Sequence, residues 1–218
     1  KALRRAGYVG HIVVGGYFPT FSSRELLQDV REIDYVVRGE GEITLAELME
    51  SLIGARSITL NHILGLSYRE NEEIKENPAR PLIQNLDLLP APDRKYSGEI
   101  LKRGSRLRIY GTRGCWGNCS FCDIVGLYGS SPGKAWRSRS IKSLVDEIQD
   151  LKEKYQTDYF VFNDDQFLLR GKKADDRINE FASEIKRRQL DIKFEMMCRA
   201  DTIKREGMKK LKSVGLQS

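Results

Sequence analysis

Short apolar runs, each followed by a loop and then by apolar residues at helical spacing, recur along this chain, and few folds accept that order. Residues 12–15 and 34–37 are the first two runs. Loops at 16–20 and 38–42 follow them, Ser23 is placed to cap a helix to about residue 30, and 44–52 has the pattern of an amphipathic helix. Three further runs come later, at 107–110, 159–162 and 193–197. Ser140 heads a helix striped by Ile141, Leu144, Val145, Ile148, Leu151 and Tyr155; Ile178, Phe181, Ala182 and Ile185 stripe the next, and 206–214 reads as a third. This alternation predicts an α/β chain with parallel strands and ligand-facing loops at the strand ends.

The pattern breaks between the two sets. Residues 65–74 read as a hairpin around an Asn-containing turn, and Pro78, Pro81, Pro90 and Pro92 forbid a continuous helix or central strand over 76–106. The expected organisation is a first domain over 1–75, a linker over 76–106 and a second domain over 107–218. Lys1 stands where a start Met would, after which 1–7 reads as the glycine-stopped end of a helix, so the natural chain is expected to begin earlier.

The chemistry concentrates in Gly111-Thr-Arg-Gly114-Cys115-Trp-Gly117-Asn-Cys119-Ser-Phe121-Cys122, which holds three of the four cysteines. Glycine-punctuated spacings of this kind let one loop bring three soft sulfur ligands to a single centre. Iron-sulfur clusters and structural zinc sites use four ligands, so a local set of three implies an open position for a substrate or cofactor.

Cys115-x-x-x-Cys119-x-Phe121-Cys122 resembles the signature loop of the radical S-adenosylmethionine (SAM) superfamily. The resemblance implies that Cys115, Cys119 and Cys122 hold a [4Fe-4S] cluster, that SAM chelates the fourth iron, and that its reductive cleavage releases a 5'-deoxyadenosyl radical. Phe121 is then expected to lie against the adenine. The plainer alternative is a zinc knuckle completed by Cys198 or a histidine, but no second ligand pair accompanies the first. By the same resemblance, Asp164 and Asp165 are placed towards the SAM amino end, Glu195 suits ribose hydroxyls and Arg199 the SAM carboxylate. This chain has Asn-Asp-Asp where Gly-Gly-Glu is common. Alternatively, Asp164 and Asp165 cap the loop backbone, Arg199 pairs with Asp201, and Cys198 is a small core residue. No residue is assigned to the catalytic step itself.

Two earlier loops resemble a second element. Gly15-Gly16-x-x-Pro19-Thr20 and Gly39-Glu40-Gly41-Glu42 are similar to the last two strand-end loops of the cobalamin-binding domain that precedes the barrel in the B12-dependent radical SAM class. There the glycines admit the flat corrin. Taken singly, a Gly-Gly pair is a turn, and the acidic residues favour a helix N-terminus. No Asp-x-His-x-x-Gly motif is visible, so no protein histidine is expected below cobalt, and neither His11 nor His62 is given a role. The implied fold is α/β, a partial Rossmann-like cobalamin-binding domain followed by the first half of a partial (β/α)6 TIM-like radical SAM barrel. On this reading the third strand of the half barrel has an unpaired edge, and the piece alone is not a competent enzyme.

The net charge of +6 arises from basic residues interleaved with acidic ones, as over 142–154, which favours a solvated surface over a nucleic-acid partner. No run approaches the ~18 apolar residues of a membrane span, and clustered thiols suit a reducing compartment, so a cytoplasmic location is expected. The family implies methyl transfer, or radical cyclisation or rearrangement, on a small-molecule or peptide substrate, with a reductant protein serving the cluster. The competitors are an RNA-modifying radical SAM methylthiotransferase, which uses further N-terminal cysteines absent before Cys115, and a non-enzymatic zinc-binding module.

Overall fold

A computed structural model describes residues 1–218. The chain divides into two compact units, residues 1–83 with 118–134, and residues 84–117 with 135–218.

In chain order the elements begin with α1 (Ala2–Arg5), β1 (Val13–Gly15), α2 (Tyr17–Phe21), α3 (Ser23–Asp29), β2 (Tyr35–Val37) and α4 (Gly41–Leu52). β3 (Leu66–Glu70), β4 (Glu73–Glu76), α5 (Ser97–Lys102), β5 (Leu107–Ile109) and β6 (Thr112–Arg113) follow. Next come α6 (Asp123–Gly129), β7 (Arg137–Ser138), α7 (Ile141–Tyr155), β8 (Tyr159–Phe162), α8 (Lys172–Arg187), β9 (Lys193–Met196) and α9 (Arg205–Lys212). None of these helices is long and apolar enough to cross a membrane.

The first unit has a sheet of order β1-β2-β3-β4. Only β1 and β2 run parallel, with Val14 opposite Val36, because a helical crossover connects them. The hairpin read over 65–74 is present as β3 and β4, and it extends the parallel pair with antiparallel strands. Its two turn residues, Asn71 and Glu72, both have positive φ, at 49° and 67°, as a two-residue turn matched to strand twist requires. Successive residues of β2 face opposite sides. Val36 packs with Leu27 and Ile33, while Val37 packs with Leu48, Ile63, Leu66 and Tyr68, so both faces of the sheet are covered. Two local expectations also change: Tyr17–Phe21 is a short helix and not a loop, and α4 starts at Gly41, so the 38–42 loop is shorter than read.

In the second unit β5, β8 and β9 are all parallel, with Ile109 opposite Phe162 and Phe162 opposite Met196. Ser140 Oγ accepts the Ser143 amide at 3.1 Å and starts α7, a cap that contributes about 1 kcal/mol. The apolar stripes of α7 and α8 meet the strands in one core, where the rings of Phe162, Phe181 and Phe194 stand edge to face with centroids 5.3 to 5.8 Å apart. Each fully buried Leu, Ile or Phe side chain contributes roughly 2 kcal/mol. The interleaved charges of α7 are not all solvated: Glu147 is buried, held by Arg94 and Arg139.

The expected bare edge on the third strand is also corrected. Phe194 donates to the Gly215 carbonyl at 3.0 Å, Gln217 donates back to Phe194 at 2.8 Å, and Met196 donates to Ser218 at 3.1 Å. Residues 215–218 thus lie along β9 in parallel, with Leu216 bridged to Phe194. Gly215 makes the entry with a φ of 109°.

Candidate active site

β5 ends at Ile109, and the chain turns through Gly111 into β6, which pairs with β7 to brace the root of the cysteine loop. Two carboxylates from the end of β8 grip that root. Asp164 is 0 % exposed, and its Oδ1 accepts from the Gly111 amide at 2.9 Å, the Thr112 hydroxyl at 2.7 Å and the Thr112 amide. Asp165 Oδ2 accepts from the Gly114 amide at 3.0 Å. The backbone-capping alternative for these residues describes the bonds they make. Arg177 closes the root from the other side, donating to Gly111 and Arg139 carbonyls at 3.1 Å each. A Cβ on Gly111 would stand 3.0 Å from Leu144 and 3.1 Å from Phe167, so a larger residue there requires these buried side chains to shift by a few tenths of an ångström.

Burial pushes the Asp164 carboxyl up to about 6, against the pull of the Thr112 and Gly111 donors and of Arg177. Its Oδ2 is buried without a hydrogen-bond partner. The folded chain therefore holds a proton on Asp164 that the unfolded chain, with an ordinary value near 3.9, releases sooner. The stability this confers is fully present below about pH 4 and is lost as pH rises through about 6, about 3 kcal/mol in all. Asp164→Asn keeps an Oδ1 acceptor and removes the titration. Denaturant unfolding between pH 4 and 7.5 should show this slope flattened in the variant; an identical slope in both proteins would assign the titration elsewhere.

Of the other residues singled out in this unit, Arg199 pairs with Asp201 through Nε at 3.0 Å and a terminal nitrogen at 3.1 Å. It also lies over the Trp116 ring, 4.9 Å from the centroid, with Arg170 at 3.9 Å. Trp116 donates from Nε1 to the Leu168 carbonyl at 3.0 Å, so the middle of the loop is held by this bond and by two guanidinium groups against the ring. Glu195 stands apart, accepting from Tyr159 at 2.7 Å and from Arg106. Sequence reasoning missed Thr112, Trp116, Arg170 and Arg177. Trp116 alone carried a signal, being an aromatic between two of the cysteines.

All four cysteines are free thiols. Cys115 Sγ accepts the Gly117 amide at 3.2 Å, the Cys122 amide bonds the Cys119 carbonyl at 3.1 Å, and Phe121 is 89 % exposed. Cys198 packs against the core instead. No three histidine, cysteine, aspartate or glutamate side chains stand together as a preformed cage, so a metal would gather its ligands as it binds. The donor set nonetheless suits iron-sulfur ligation: soft thiols on a glycine-bearing loop, none engaged in a disulfide.

In the first unit Thr20 joins the two glycine loops. Its hydroxyl donates to the Gly16 carbonyl at 2.7 Å and accepts the Gly39 amide at 3.0 Å. Gly16, with φ 99° and ψ −168°, occupies a conformation almost confined to glycine, and nothing lies within 4 Å of where its Cβ would be. Gly15 abuts Val37, Pro19 lies within α2, Glu40 accepts the Ile83 amide at 2.8 Å, and Gly41 and Glu42 form the first turn of α4. Gly16 is thus the position of these loops where backbone meets open space.

The sequence profile of the radical SAM superfamily matches residues 109–218, just over half of the 218-residue chain. The chain is 35% identical over 210 residues to the uncharacterized methyltransferase PH0819 of Pyrococcus horikoshii, covering 94% of this chain and 43% of that one. It is 32% identical over 207 residues to the anaerobic magnesium-protoporphyrin IX monomethyl ester cyclase of Cereibacter sphaeroides, covering 89% and 31%. The fold resembles that of the cobalamin-dependent SAM radical enzyme OxsB, solved with aqua-cobalamin and SAM, at a TM-score of 0.76 and 23% identity over 99% of this chain and 31% of that chain. The chain therefore spans less than half the length of these relatives. With the profile running from the last residue of β5 through the cysteine loop and everything after it, the chain belongs to the radical SAM superfamily.

Proposed function

We propose that this chain is part of a cobalamin-dependent radical SAM enzyme whose whole catalyses methyl transfer, or radical cyclisation or rearrangement, on a small-molecule or peptide substrate. The observation that carries the reading is the thiol set Cys115, Cys119 and Cys122, on a loop rooted at a parallel-strand end by Asp164 and Asp165. On this reading residues 1–75 are the later part of a Rossmann-like cobalamin-binding domain, and residues 107–218 are the first portion of a (β/α)6 TIM-like barrel. When bound, the cluster supplies the electron that cleaves SAM, and cobalamin supplies a carrier for the methyl group.

The chain's own residues bind and orient. Cys115, Cys119 and Cys122 would hold the cluster, leaving one iron for SAM. Phe121, already exposed, would lie against the adenine; Asp165 and Glu195 are the carboxylates offered to the SAM amine and ribose. Arg199 reaches the SAM carboxylate only by yielding bonds to Asp201, whereas Asp164 acts through the loop it shapes. Gly15, Gly16, Pro19, Thr20, Gly39, Glu40, Gly41 and Glu42 form the corrinoid-facing edge. A reductant protein would serve the cluster in a cytoplasmic setting.

A size series at Gly41 tests the cobalamin part, because Gly41, unlike Gly16, has no positive φ to confound the result. The Cβ of alanine would stand 3.3 Å from Val37, a contact that a small adjustment absorbs. Hydroxocobalamin binding, followed by its visible spectrum, should weaken from Gly41→Ala to Gly41→Leu by about tenfold or more, at comparable melting temperatures. Equal affinity across the series would remove these loops from any corrinoid contact.

A further inference from the structure

The first unit contains a cavity of about 80 Å³ at the end of β2, lined by Arg38, Arg80, Thr20, Ser130, Ser131 and Gly39 among others. That is well above the roughly 30 Å³ share of one water. Its two guanidinium groups are in different states. Arg80 is satisfied, with Nε donating to Thr44 Oγ1 at 2.7 Å and a terminal nitrogen paired to Glu47. Arg38 is not: it donates to the Asn77 carbonyl, makes no ion pair, and its Nε is buried with no hydrogen-bond partner. Glu76, the carboxylate that acts on it from a distance, is bonded to Ser23 at 2.6 Å and Arg24 at 3.0 Å. A half-buried guanidinium with no carboxylate in ion-pair contact gains from an anion that enters the cavity.

The remaining lining narrows the class of anion. Ser130 spends its proton on the Leu127 carbonyl at 2.8 Å, but Ser131 Oγ sits at the Gly39 side, 3.5 Å from where a Cβ would be. A guanidinium outside any ion pair and a hydroxyl lining a space of this size match an anion with several acceptor oxygens. We propose that this cavity is a phosphate-oxygen receptor anchored by Arg38, and that its occupant is a phosphodiester. The choice of a diester rests on the cobalamin reading: Thr20 and Gly39 line the cavity and also belong to the corrinoid-facing loops, and the nucleotide tail of cobalamin carries one phosphodiester.

Calorimetric titration of the full chain with hydroxocobalamin, with diaquocobinamide, which lacks the nucleotide and its phosphodiester, and with inorganic phosphate tests this. Wild-type protein should bind cobalamin about tenfold or more tightly than cobinamide, and Arg38→Met should lose that margin while its cobinamide affinity stays unchanged. Ser131→Glu, which places a carboxylate at the cavity wall without removing a buried group, should do the same and serves if Arg38→Met does not fold. Equal losses for both corrinoids, or no loss for either, overturn the assignment. Should neither corrinoid bind the wild type, the cobalamin reading fails by itself. Phosphate binding that disappears in the Ser131→Glu variant then still supports the receptor with free phosphate as its source, and absence of phosphate binding overturns it.

Discussion

Alanine in place of Cys115, Cys119 or Cys122 is expected to lower bound iron and sulfide by about tenfold or more after anaerobic reconstitution, whichever of the three is changed. Each lies on the same loop, and none is engaged in a disulfide. Two thiolates cannot retain a cluster that already leaves one iron open. Cys198→Ala is the internal control. That side chain packs against the core of the second unit, so its loss should cost about 1 kcal/mol of stability and no iron. Loss of iron from the Cys198 variant at unchanged solubility would mean that the ligand set is misassigned. Stoichiometric zinc without sulfide in the parent, giving a colourless protein, would turn the loop into a zinc-stabilised binding module.

The second large effect is expected at Gly215. Its φ of 109° is strained for any side chain, and a Cβ would stand 1.9 Å from the Ile192 carbonyl oxygen, which is backbone and cannot swing aside. Gly215→Ala must displace either β9 or the 215–218 segment along it, breaking the bonds from Phe194 and Gln217. Strain and overpacking together should cost roughly 3 kcal/mol or more, which lowers the melting temperature by about 6 °C or more. Gly98→Ala, in α5 with open space around it and no positive φ, should be neutral or stabilising by up to about 1 kcal/mol. A Gly215 variant that melts with the parent would show that the backbone there relaxes freely.

What could be read beforehand divides by the range of the interaction. The stripes of α7 and α8 were legible because helical burial imposes a period on the sequence, and the β5, β8 and β9 runs because a strand covered on both faces is apolar throughout. The cysteine loop was legible because its ligands are local. Asp164 and Arg177 were not legible as a buried pair: their bonds reach back across the chain to Gly111 and Thr112, and Arg177, beside Ile178 in the stripe, reads as an ordinary surface charge. Glu147 escaped for the same reason, since the arginines that bury it come from outside its helix turn or outside the helix. The antiparallel addition of β3 and β4 to a parallel pair was also hidden. A hairpin signal fixes how two strands meet each other, but not which neighbour they join.

The left-handed turn at Asn71 and Glu72 bears on the order in which this chain folds. A two-residue connection lets β3 and β4 find register within microseconds, although an isolated hairpin is only marginally stable. β5 and β8, by contrast, pair residues about fifty positions apart, and that entropy must be spent before any of their contacts forms. Among the strand pairings, the hairpin is thus the place where native register can first appear, and β2 gains a template before the parallel strands of the second unit have met.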